Sequence, residues 1–158
     1  MKSQILNWEF ISLAKHHIMK NLFIIAGLSI LLASCTNYGT KIDFNGDEVY
    51  YKDPVTEEVA TQVGEFLKTY QYFTGQGFTV QVLKEEGYTV RFATKEGIEN
   101  DADVMGGFKF LLIDMSAAAF NGDPITIDLC DETLNTKVTI THAEAKSYLE
   151  KMLTEQPI

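Results

Sequence analysis

Two cysteines, Cys35 and Cys130, are too few to staple a disulfide-rich scaffold or to build a Cys/His metal cluster. Histidine is nearly as scarce. Of the three, His16 and His17 are neighbours, and adjacent side chains on a helix do not face each other, so the pair makes no metal site. No Gly-rich phosphate loop and no Ser-His-Asp constellation follows Cys35, which removes the signatures of the common nucleotide-binding and hydrolytic classes. Positive charge is short as well, with 13 Lys and Arg against 22 Asp and Glu, and Arg91 is the only arginine. A chain this acidic repels nucleic acid, which is therefore not an expected partner. Long apolar runs are also missing. The stretch from Leu22 to Leu32 falls well short of the roughly 20 residues that a membrane-spanning helix needs.

What that stretch does have is an order. Lys20 is followed by the apolar residues 22–32, then by the small pair Ala33-Ser34, then by Cys35. Basic, apolar and small-residue regions in that sequence form a secretory signal. Leu32-Ala33-Ser34-Cys35 resembles the lipobox of bacterial lipoprotein precursors. The resemblance covers the first 35 residues and implies cleavage between Ser34 and Cys35, a diacylglyceryl thioether on Cys35, and usually N-acylation of the new terminus. More than one acyl chain gives stable anchoring where a single one is marginal. Thr36 is not the aspartate that retains many such proteins in an inner membrane, so in a host with two membranes the outer one is favoured. Met19-Lys20-Asn21-Leu22 would by itself make a complete start for such a signal, which leaves residues 1–18 as a candidate mis-assigned leader.

Removal of residues 1–34 takes away Trp8, the sole tryptophan, together with His16 and His17. It also removes Lys2, Lys15, Lys20 and Glu9, leaving 124 residues with 10 basic and 21 acidic side chains, a formal charge of −11. That length suits one domain able to bury about two thirds of its unfolded surface. With Cys35 lipidated, Cys130 has no thiol to pair with, so the domain must stand on its core. Cys130 falls on the opposite face of its strand from Ile125, Ile127 and Leu129, which reads as a semi-buried thiol without a base. His142 begins a helix and reads as a solvent-facing first-turn residue.

Past a tether at residues 35–40, residues 41–158 read as hairpin and helix alternating three times. Asn45-Gly46 between alternating strands is a strong hairpin signal that sets Ile42 opposite Val49. Thr56 caps a first helix whose stripe is Val59, Val63, Phe66, Tyr70 and Phe73, with Gly75 and Gly77 as its stop. A second hairpin pairs Val80 with Phe92 and Val82 with Val90, with Gly87 in a left-handed position of the turn. The second helix, capped within Asn100-Asp103 and running to about Phe120, is apolar over much of its circumference and should be central. A third hairpin pairs Ile127 with Ile140 and Leu129 with Val138. Thr141 and Glu144 then form a capping box for the last helix. The expected fold is α+β, a two-layer sandwich of about six antiparallel strands with helices on one face.

No catalytic constellation emerges, and no cofactor is called for. An uncovered outer sheet face would present Tyr50, Gln81, Arg91 and Thr126 as a flat, mixed surface for a partner in the cell envelope. The carboxylates of Asp128, Asp131 and Glu132, where the third hairpin meets its turn, are a weaker candidate for binding calcium or a small ligand. Asp43, Asn45 and Asp47 resemble the start of a calcium loop, but the glycine and the final glutamate are misplaced. The reading is a lipid-anchored, non-catalytic binding or scaffolding protein, with a ligand- or ion-binding module as the alternative.

Overall fold

Asn45 and Gly46 both adopt positive φ, the conformation their turn type demands, and they join β1 (Thr40–Phe44) to β2 (Asp47–Tyr51) with Ile42 opposite Val49. The computed structural model describes residues 38–155. The expected signal segment, the expected Ser34-Cys35 cleavage and the expected start at Met19 lie outside the described residues.

Thr56 caps α1 (Glu57–Thr69) by accepting from the Val59 amide, with Glu57 and Glu58 against the positive end of the helix. Val63, Phe66 and Leu67 are buried. The helix ends earlier than its apolar stripe suggests. Gln71 turns left-handed at φ 61°, so Tyr70 leaves the stripe exposed while Phe73 returns to the core from the following loop. The hairpin of β3 (Thr79–Lys84) and β4 (Tyr88–Ala93) has the expected register, Val80 with Phe92 and Val82 with Val90. Gly87, however, is not left-handed, and the turn closes instead through the Glu85 amide donating to the Gly87 carbonyl.

A 3-10 turn (Ile98–Asn100) leads to α2 (Ala102–Ala119), capped by the Asp101 carboxylate. Leu111, Leu112 and Met115 are buried, each contributing about 2 kcal/mol of apolar burial. Phe110, one of the side chains that make this helix apolar over much of its circumference, does not join the core and is exposed against Tyr148 of the last helix. The third hairpin, β5 (Ile125–Cys130) with β6 (Thr136–Thr141), pairs Ile127 with Ile140 and Leu129 with Val138, as expected, with a bulge at Leu129/Cys130. The final helix α3 (His142–Thr154) opens on the full Thr141–Glu144 capping box.

The α+β architecture is the expected one: six strands in one open sheet, covered on one face by three helices. The sheet is mixed, however, rather than antiparallel throughout. Each hairpin is antiparallel, but β2 pairs with β3 and β4 with β5 in parallel. The cause is the helix between each pair, which carries the chain back along the sheet so that the next strand starts at the same end as the last one. Val49, Val80, Val82, Val90, Ile127, Leu129 and Ile140 all point to the helical layer and share one core with it. Gly64 of α1 is part of that contact, since the Phe44 ring lies where its side chain would begin. No helix among the described residues is long and apolar enough to cross a membrane.

Candidate functional site

At one end of the sheet β1 stops and β2 and β3 start, and there the carboxylate of Asp47 is fully buried. Its Oδ2 accepts from the Gly75 amide at 2.7 Å, and its Oδ1 accepts from the Gly77 and Phe78 amides, each at 2.9 Å. Burial pushes its pKa up, but these backbone donors outweigh it and hold the carboxyl below the ordinary aspartate range. The Glu48 amide donates to the Phe78 carbonyl at 2.8 Å and completes the clamp. Gly75 and Gly77 both carry positive φ, which only glycine adopts without cost, and so the loop from Thr74 to Phe78 can wrap the carboxylate.

This clamped loop is one wall of a cleft of about 690 Å³. The sheet contributes Val80 and Phe92, and the helical layer contributes Ile98 and Phe108. At its mouth Phe78 is 46% exposed and Tyr72 38% exposed. Burial, with Asp114 nearby, pushes the Tyr72 phenol up, so it meets the cleft as a neutral hydrogen-bonding ring. Lys95 and Glu132 stand on the rim and also line an adjoining depression of about 460 Å³ with Glu96, Glu99, Asp131 and Lys137. A concave, largely aromatic site of this size with few polar groups is the usual form of a binding pocket.

The outer sheet face is organised differently. Lys41, Tyr50, Gln81, Arg91, Asp128 and Thr139 stand side by side in one row crossing all six strands. The row is turned inward on itself. Gln81 is only 1% exposed, because its amide donates to the Tyr38 carbonyl at 2.7 Å and the Tyr38 ring packs edge-on against Tyr50. Arg91 Nη1 donates to Gln81 Oε1 at 2.9 Å, and Nη2 donates to the Leu134 carbonyl and to Thr136 Oγ1. Its Nε stands 3.9 Å from Asp128 Oδ2. Leu134, at φ 61°, lays the β5–β6 loop over the guanidinium. Thr126 lies on the same face, bonded to Thr89 at 2.8 Å rather than to the row. The four surface residues chosen from the sequence thus share a face, but Gln81 and Arg91 are spent on internal bonds.

The three carboxylates expected as a weak ion site are not brought to one point. Asp128 accepts from Thr136 and Thr139, at 2.9 and 2.6 Å. Asp131 accepts from the Asn135 and Thr133 amides and side chains, donors that hold its carboxyl far below the ordinary range. Glu132 stands on the cleft rim. Among the described residues no group of three or more His, Cys, Asp or Glu is placed to hold a metal ion.

Cys130 is completely buried rather than semi-buried, since the turned-in loop and Thr136 close over it, and burial pushes its thiol up. His142 is half-buried rather than solvent-facing, with Nδ1 enclosed and without a partner. The two lie at opposite ends of the sheet. Cys130 pairs with Thr136 and Thr126 with Thr141, a spacing of four strand residues and on the order of 13 Å. They cannot act on one another.

A family model described as the AF_1994_N family N-terminal domain matches residues 41–142. The chain belongs to that family. The AF_1994_N match runs from β1 to the first residue of α3 and includes the Asp47 clamp and every residue of the cleft. No curated protein and no solved structure matches the chain. Of the cleft residues, Tyr72 falls off the spacing of the first helix's stripe in the sequence, whereas Phe78 carries no such signal. Its alternation with Val80 and Val82 puts it on the core face, and only its place just before Thr79, the first paired residue of β3, leaves it at an open mouth.

Proposed function

We propose that the protein is a lipid-anchored envelope protein, exported and held to a membrane through Cys35, whose domain is a non-catalytic module that binds a protein partner in the aromatic cleft. The observation that carries the binding reading is the cleft itself. A built loop, clamped by a buried carboxylate, holds Phe78 half in solvent at the mouth of a 690 Å³ apolar depression, with Tyr72 half in solvent beside it. Aromatic anchors of this kind are what interface hot spots are made of. The outer sheet face, with its cation and amide already paired, is a poorer candidate for the same task. A cleft of this volume also suits a small apolar ligand, which keeps a ligand-binding module as the second reading.

The test is photo-cross-linking in cells with a benzophenone amino acid at position 78, followed by mass spectrometry of the membrane fraction. The reading requires a diacylated N-terminal peptide beginning at Cys35 and a discrete cross-linked protein that disappears when the probe is moved to Leu153. A probe at position 78 that cross-links no protein overturns the partner reading. An unmodified Cys35 overturns the anchoring.

A further inference from the structure

The aromatic cleft has a charged neighbour, and the two share a rim. Thr94, Lys95 and Glu132 line both the cleft and the depression beside it, so a segment lying in the first continues across the second without leaving the surface. Glu96, Glu99, Asp131 and Glu132 meet Lys95 and Lys137 there, four negative charges against two positive ones. Asp131 is held ionised by its loop donors. The rest of the domain adds to the sign, with 21 acidic against 10 basic residues after Cys35. An anionic partner would approach against this field, whereas a cationic one is drawn along it and keeps most of its hydration at a rim that stays solvated.

Resting on the binding reading above, we infer that the occupant of the cleft is a short amphipathic protein segment, one or two aromatic or aliphatic residues flanked on one side by lysine or arginine. The apolar residues enter between Phe78, Phe92 and Phe108, and the Tyr72 phenol is available to a backbone carbonyl of the segment. The basic residues lie over Glu132, Glu99 and Asp131. Such a segment matches the site in both chemistry and order: apolar first, cationic next. An apolar segment with acidic flanks meets the same pocket with the wrong charge.

The test uses the full chain in zwitterionic nanodiscs and a fluorescent ten-residue peptide in which Phe and Leu are followed by three Lys, with a control peptide carrying Glu for each Lys. Fluorescence anisotropy should show the Lys peptide binding at least tenfold more tightly than the Glu peptide, with affinity falling as salt is raised. Phe78→Ser and the double charge reversal Glu99→Lys with Glu132→Lys should each weaken it tenfold or more. Phe78 and Glu132 are exposed and Glu99 is partly exposed, and circular dichroism is the check that each variant folds. Leu153→Ser, at an exposed apolar residue that lines neither the cleft nor the adjoining depression, should leave it unchanged. Equal affinity for both peptides, or equal loss with Leu153→Ser and Phe78→Ser, overturns the inference. The in-cell cross-link at position 78 separates the two levels. A captured segment that is acidic or uncharged overturns the charge rule and leaves the binding reading standing, whereas no captured protein removes the binding reading itself.

Discussion

Replacing Asp47 by asparagine removes one charge and almost no volume, and the geometry of the clamp sets the cost. With the asparagine oxygen turned toward the Gly77 and Phe78 amides, its NH2 group faces the Gly75 amide, so two donors point at each other where Oδ2 had accepted at 2.7 Å. One charge-assisted hydrogen bond, worth about 1.5–3 kcal/mol, is lost and a buried N–H is left unpaired. The two remaining bonds weaken to neutral ones. The expected cost at pH 7 is about 3 kcal/mol, or roughly 10 °C in the unfolding midpoint for a domain of this size. Urea unfolding followed by circular dichroism reads it directly. The pH dependence has a definite sign. The folded carboxyl lies below its ordinary value near 3.8, so its contribution is complete above that value and is lost as pH falls toward the folded one. The gap between wild type and Asp47→Asn should therefore narrow below about pH 4. A variant within about 0.5 kcal/mol of wild type at pH 7, or a gap that does not change with pH, would refute the clamp.

Gly64→Ala should destabilise by about 2 kcal/mol, because its new Cβ would stand 2.0 Å from Phe44 Cζ and the ring has core on its far side; differential scanning calorimetry measures it. Arg91→Lys keeps the charge but cannot reach Gln81, Leu134 and Thr136 together, and a loss of about 2 kcal/mol is expected in chemical denaturation, with an unchanged midpoint counting against the row. Cys130 should resist a maleimide in the folded protein and react once unfolded. Rapid labelling of Cys130 under native conditions would contradict its burial.

Hairpin registers were legible because they are local. Two or three turn residues and alternating side chains set Ile42 against Val49, Val80 against Phe92 and Ile127 against Ile140, and no distant part of the chain competes with them. How one hairpin joins the next is set elsewhere, by the helix between them, and the expectation of an antiparallel sheet gave that return path too little weight. The α1 stripe overreached for a related reason. Tyr70 has the right spacing, but Gln71 leaves the helical region one residue later and the stripe ends there. The candidate site was less legible because its parts are far apart in the chain. Phe78 and Phe92 meet through the β3–β4 hairpin, but Glu132 joins them only through the parallel β4–β5 pairing and Phe108 only through the helix packed on the sheet. Asp47 reads in sequence as a turn carboxylate beside Asn45-Gly46. Its neighbours in space, the amides of Gly75, Gly77 and Phe78, bear no side-chain signature that could have announced them.

The sheet is laid down in the order in which the chain is written, β1 through β6, with no strand inserted between two earlier ones. Each new hairpin adds to an edge that already exists, and the two parallel joins, β2 to β3 and β4 to β5, each close over one intervening helix. Folding then asks for few contacts between distant parts of the chain, which favours a fast search. It can also begin at the N-terminal hairpin before the C-terminal one exists. A chain delivered thread-first can bury each hairpin as it emerges, with only β1 and the current outermost strand left at an open edge at any moment.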